Sequence, residues 1–455
     1  MRDIDTRGRT SGSAFGGFPA MNSTASRRSF LGFSGASALA LGLAACEGGT
    51  QPGENPDGAG SANVWILTGG MWPVISDSVS RWNEAHPDQE ISVEEFENDA
   101  YKERIRTAVG AGQAPTLVLS WGGGTLADYA NNDQIIDLSG STGDLEERLL
   151  PSVAQNGQVD GTTYAVPVND VQPVVLFYNR DIFDEHGLEV PTTYEEMLSV
   201  SAELQDNDVL PFALAGASVW PELKWIQYLT DRIGGPEAFQ AVLDGEPDAW
   251  SHPAFLEATT RIQELVETGA FGDNYASVAA DQNADIALVH TGRAAMLLWL
   301  SSAYATFRSD AAEFTESALG WTQFPSVEGG AGDPANIVGN PANVFSVSSA
   351  ASDEEQEAAL GWISEQLYDD TQIEEMIAAG AVPPVQGIAD QLAESENGDF
   401  LTFSYDLASE APHFQLSWDQ ALPPGPAQEL LTNLSQLFLM QITPEEFVDN
   451  MNATL

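Results

Sequence analysis

Hydrophobic and polar positions along this chain switch between two periods. Val64-Trp65-Ile66-Leu67 is an unbroken apolar run that ends in Thr68-Gly69-Gly70, which predicts a short buried strand. From Val74 to Glu84 the apolar residues (Val74, Ile75, Val79, Trp82) fall at helical spacing, and His86-Pro87-Asp88 stops the helix. Ile91 to Phe96 alternates like a strand. Tyr101 to Val109 predicts a helix closed by Gly110 and Gly112, and Thr116 to Ser120 the next strand, followed by a Gly-rich turn and a helix from Leu126 to Asn131. Such alternation of strands and helices predicts an α/β layer fold with a mainly parallel sheet.

Further on, Val174 to Tyr178 has no polar position on either face and predicts a strand buried on both sides. A short helix runs through Phe183 to a turn at Gly187. Pro191-Thr192-Thr193-Tyr194-Glu195-Glu196 opens another helix, with a capping box formed either by Thr192 and Glu195 or by Thr193 and Glu196. Leu223 to Ile233, Phe255 to Glu267, Glu354 to Tyr368 and Ala427 to Leu439 predict more helices, so the second half should be a larger lobe in which long helices replace strands.

The N-terminal segment changes where this body should work. Arg27-Arg28 precedes a run of small and apolar residues that ends in Leu43-Ala44-Ala45-Cys46. A basic pair, an apolar stretch and small residues at a cut site make a secretory signal, and the paired arginines indicate the twin-arginine route. Leu-Ala-Ala-Cys resembles the lipobox of exported lipoproteins, which implies a signal peptide over 1–45 and a diacylglycerol on Cys46. The stretch 46–61, rich in Gly, Pro and polar residues, is expected to be a flexible tether. Cys46 is the only cysteine, so no disulfide can form within one chain. The expected location is the outer face of the cytoplasmic membrane.

Charge sharpens this further. There are 68 acidic residues against 16 basic ones, a formal net charge of −52. The segment before Cys46 holds five of the arginines and only Asp3 and Asp5, so the remainder is more acidic still, and its lysines are Lys102 and Lys224 alone. Acid spread along a chain of ordinary hydrophobic content fits a surface adapted to high salt, where screening relieves self-repulsion. It excludes a nucleic-acid partner, because no basic patch exists.

Catalytic chemistry finds little support. The five histidines are scattered without metal-ligand spacing, which leaves no metal site and no catalytic residue to name, and no cofactor is expected. Gly122-Gly123-Gly124-Thr125-Leu126-Ala127 fits a loose dinucleotide pattern, but it follows the third strand and stands beside bulky Trp121. Tryptophan is the stronger signal. Of eleven, Trp72, Trp121, Trp220, Trp225, Trp299 and Trp418 occupy loop-like positions, with Asn169, Asp170, Glu222, Gln323, Asn340, Asn343 and Asp419 nearby. An aromatic plane covers the apolar face of a pyranose while carboxylates and amides bond its hydroxyls.

Several fragments, in this order, resemble the family 1 extracellular solute-binding proteins of ATP-driven sugar importers. They are Arg81-Trp82-Asn83 with His86-Pro87, Tyr101-Lys102-Glu103-Arg104, Gly112-Gln113-Ala114-Pro115-Thr116-Leu117, Ser120-Trp121-Gly122-Gly123-Gly124, Tyr164-Ala165-Val166-Pro167, Phe177-Tyr178-Asn179-Arg180-Asp181 and Gly292-Arg293-Ala294-Ala295-Met296. Trp121-Gly122-Gly123-Gly124 and the run from Gly332 to Asn343 look like the branch that binds xylobiose, raffinose-type or similar oligosaccharides. The resemblance implies a two-lobe periplasmic-binding-protein-like fold of type II with a ligand cleft between the lobes. The first lobe would comprise 62–169 plus 348–398, the second 170–347 plus 399–455, with a first crossing near Val168 to Gln172. It implies a ligand site of Trp72, Trp121, Asn169, Asp170, Trp220, Glu222, Trp299, Asn340, Asn343 and Trp418. Trp121 and Trp299 would be facing platforms and Trp418 a third. The implied activity is non-catalytic: a monomer that captures an oligosaccharide and delivers it to the permease subunits of an ABC transporter. An exported glycosidase and a binder of a non-sugar solute are the alternatives.

Overall fold

The computed structural model describes residues 61–455; the export segment, Cys46 and the tether up to Gly60 lie outside the described residues. The strands are, in chain order, β1 (Ala62–Leu67), β2 (Ile91–Phe96), β3 (Leu117–Ser120), β4 (Gln158–Val159), β5 (Thr162–Thr163), β6 (Val166–Pro167) and β7 (Gln172–Asn179). They continue with β8 (Leu210–Ala213), β9 (Ala294–Leu300), β10 (Leu319–Thr322), β11 (Ile337–Asn340), β12 (Val344–Val347) and β13 (Phe414–Leu416). One sheet has the order β2-β1-β3-β12-β6 and a second the order β13-β11-β7-β9-β8, with β10 added beside β7. β4 and β5 form a separate small ribbon.

Helices α1 (Trp72–Ala85) and α2 (Asn98–Gly110) carry the chain from β1 to β2 and from β2 to β3, and β1 pairs in parallel with both β2 and β3. Both sheets are nevertheless mixed rather than mainly parallel. β12 runs antiparallel to β3 and β6, and β7 antiparallel to β9, β10 and β11. β7 and β12 enter directly from the other sheet through the links 168–171 and 341–343, without the helical crossover that would make them parallel. This pairing also moves a boundary: β12 belongs to the first sheet, so the return crossing is 341–343 and does not follow Val347. The strand-poor second half needs correcting as well, because β9 to β13 all lie there. Most are short and are held by their neighbours, which leaves little periodicity to see.

Local chemistry sets the element ends. Thr193 caps the helix Tyr194–Asp206 and Glu196 closes the box, which selects one of the two registers the sequence allowed. Ser352 with Glu355 does the same for Asp353–Glu365. Each such cap contributes about 1 kcal/mol. Gly187 ends the helix Arg180–His186 with φ 65, a left-handed position. β7 is buried along nearly its whole length, as its apolar run requires. Trp82 and Trp362 fill the core around the first sheet, and Trp225, Trp250 and Trp418 the core around the helix Leu223–Gly234. Among the described residues no helix is long and apolar enough to cross a membrane.

Candidate functional site

A cavity of about 420 Å³ opens between the two sheets. Its first wall comes from the segments that follow the carboxyl ends of β1, β2 and β3: Thr68 to Trp72, Glu97 with Asn98 and Lys102, and Trp121. Ligand crevices in open α/β sheets form at this strand edge. The floor is Asp170, Gln172, Asn340 and Asn343, in or beside the two links. The opposite wall gathers Trp220, Lys224, Gln227, Asp281, Trp299, Ser417 and Asp419 from distant parts of the chain.

Trp121 follows β3 directly and is buried, in an edge-on contact with Tyr101 whose ring centre lies 5.9 Å from its own. The three glycines after it begin helix α3 (Gly123–Asn131) instead of forming a separate turn. A Cβ on Gly123 would stand 2.3 Å from the carbonyl oxygen of Gln420, and one on Gly124 2.1 Å from that of Leu422. The glycines thus allow the first lobe to touch the segment 420–422 of the second. Polar contacts span the cavity too. The Asp99 N–H donates to Asp281 at 3.0 Å, and Lys102 Nζ lies 4.0 Å from Asp419 Oδ2 and 5.4 Å from the centre of the Trp220 ring.

The opposite wall is strained and strongly charged. Val219 has φ 61, an unfavourable position for a β-branched residue, and sets the turn that presents Trp220. Trp220 and Trp299 meet with ring centres 5.0 Å apart. Lys224 Nζ stands 4.0 Å from the first centre and 4.2 Å from the second. Lys224 is buried and its Nζ has no hydrogen-bond partner. Burial pushes its pKa well below the usual lysine range, against the pull of Asp285 and Asp419. Burial also raises Asp285 to about 6. On the floor, Asp170 is raised to about 6 by burial, although Gln172 Nε2 donates to its Oδ1 at 2.9 Å.

The structure brings Trp72, Trp121, Asp170, Trp220, Trp299, Asn340 and Asn343 together around the cavity. It leaves Asn169, Glu222 and Trp418 out of the lining. Asn169 is wholly buried: its Oδ1 accepts from the Asn343 N–H at 2.6 Å and its carbonyl from Tyr368 Oη at 2.8 Å, so it ties the two links together. The single helical turn Trp220–Glu222 buries Glu222 beside Gly216, where burial raises its pKa well above the usual range. Trp418 is a core residue, stacked on Phe239 at 4.3 Å and flanked by Trp250 and Phe255. Trp299 faces Lys224 as well as the cavity, so part of its ring is covered by protein.

Lys102, Lys224, Gln227 and Asp281 went unnoticed as lining residues. A signal was available for two of them: in a chain depleted of lysine, both lysines face this cavity.

Known proteins share this fold. A structure from work on xylan utilization by the thermophilic bacterium Caldanaerobius polysaccharolyticus superimposes with a TM-score of 0.78 at 27% identity, over 87% of this chain and 100% of that one. A chitin oligosaccharide binding protein gives 0.76 at 22% identity, over 87% and 98%. The fold is that of type II periplasmic binding proteins. An uncharacterized ABC transporter extracellular-binding protein of Pyrococcus horikoshii is 24% identical over 309 residues, 65% of this chain and 66% of its own length. The xylose/arabinose-binding protein of Haloferax volcanii is 27% identical over 217 residues, 46% of this chain and 45% of its own. The chain thus spans about half to two thirds of the length of these curated relatives. The model of the bacterial extracellular solute-binding proteins matches residues 68–373, more than half of the chain, and the protein belongs to that family.

Proposed function

We propose that this protein captures an oligosaccharide in the cleft and delivers it to the permease of an ABC importer. The carrying observation is the composition of the cavity: tryptophans from both walls face a floor of carboxylate and amide groups. Rings cover the C–H faces of a sugar, and Asp170, Asn340, Asn343 and Gln227 bond its hydroxyls. The volume of about 420 Å³ lies within the range of small-molecule sites. The names of the Haloferax and Pyrococcus relatives support a sugar and a transporter respectively. Ligand held between the walls favours the form in which they touch, and the permease responds to that form. The same reading places the protein outside the cell, tethered by a lipid on Cys46.

A thermal-shift screen of mono- and oligosaccharides tests this, since a ligand of the folded form raises the melting temperature. Unmodified recovery of the bound sugar is part of the expected result. No shift with any carbohydrate, or hydrolysis of the bound sugar, would sink the proposal.

A further inference from the structure

We propose that the carbohydrate taken by this cleft is acidic, carrying a carboxylate that seats on Lys224. This rests on the reading of the cleft as a sugar site and narrows its substrate class.

Lysine occurs twice in 455 residues, and both copies line the cavity. Their surroundings differ. Lys102 is partly exposed and faces Asp419. Lys224 is buried, and among the described residues no carboxylate stands within 4.0 Å of its Nζ and no acceptor bonds it. Its compensation is the pair of indole faces of Trp220 and Trp299, an arrangement that stabilises a cation while leaving all three N–H donors unused.

Two carboxylates that line the cavity do not share this deficit, whereas Asp285, outside the lining, keeps its Oδ2 without a donor. Asp419 accepts from Ser417 and Gln420, and Asp281 from the Asp99 N–H. Asp419 and Asp281 thus have donors supplied by the protein, whereas the buried ammonium has no acceptor. Buried charge without a partner is costly, and an entering carboxylate supplies both the charge and the acceptor. A single ammonium between two apolar rings suits a monoanion on a sugar ring. A phosphate, with its second charge, would need more donors than this point provides.

The test is calorimetric titration of the full chain with oligosaccharides containing glucuronic or galacturonic acid, each paired with its neutral hexose counterpart, and with glycerol 3-phosphate. The acidic member of a pair is expected to bind at least tenfold more tightly. Lys224→Met should abolish that preference and raise the melting temperature of the unliganded protein. Equal or tighter binding of the neutral sugars overturns the acidic class while the sugar site stands. Tighter binding of glycerol 3-phosphate than of any acidic sugar overturns it in favour of phosphate. Failure of all the sugars removes the reading beneath it.

Discussion

The two walls of the cleft were built by different means. The first rests on the ends of β1, β2 and β3, and each contributing residue lies within a few positions of a strand that the hydrophobic pattern already marks. The second collects Trp220 with Lys224, Asp281, Trp299 and Asp419 from four separate segments, of which only the one holding Trp299 is a strand end followed by a helix of ordinary length. A wall of the first kind is fixed by local order. One of the second kind exists only after the helices of its lobe have packed. It also holds the strained Val219 and the unpartnered Lys224, as expected where function works against local preference.

Perturbing the contact between the walls should have the largest effect. Gly124→Ala places a Cβ 2.1 Å from the Leu422 carbonyl oxygen, so the walls must separate. The strain is about 3 kcal/mol, on the order of a hundredfold in Kd. Alanine favours the helix that Gly124 begins, so a retained melting temperature would assign the loss to the cleft. Unchanged affinity would show that the contact is irrelevant to binding. Next, Trp121→Ala removes the platform of the first wall and should weaken sugar binding by about 2 kcal/mol, roughly thirtyfold. Isothermal titration reads this directly, and wild-type affinity would reassign the ring to packing.

The floor between the walls gives a pH signature. The folded pKa of Asp170 is raised from 3.8 to about 6, so its unfolded carboxyl ionises first as pH climbs. Its contribution to wild-type stability therefore falls between about pH 4 and pH 6 and stays low above that. Asp170→Asn should be more stable than wild type by up to about 2 kcal/mol at pH 7, with the gain vanishing towards pH 4. Denaturant melts at the two pH values check it, and a pH-independent difference would refute the burial effect. Smallest should be Trp418→Phe behind the second wall, about 1 kcal/mol of stability with sugar affinity unchanged. A clear loss of affinity there would return Trp418 to the site.

How much of this could be read from sequence follows the same division. Helices with caps and strong periodicity were legible to within a few residues at their ends, including Tyr194–Asp206 and Leu223–Gly234. So was β7, whose burial on both faces is written in its apolar run. The short strands β11, β12 and β13 were not, because their pairing depends on partners far away in the chain. Gly123 and Gly124 suggested a turn because sequence does not reveal which backbone will approach them. Trp418 and Asn169 share a residue type with true lining positions but differ in packing. Lys102 and Lys224 carry positive charge in a chain dominated by acid, and only the fold brings them to one cavity.

The bond between Asn169 and the Asn343 N–H has a mechanical consequence. Two separate connectors would let the lobes twist, shear and rock independently. Joined by this bond, and braced by Tyr368 on the Asn169 carbonyl, the two links act as one pivot. Residues on this pivot have almost no lever arm, whereas those at the rim sweep through the full arc. Loosening the pivot would therefore alter the freedom of the whole jaw through residues that themselves barely move.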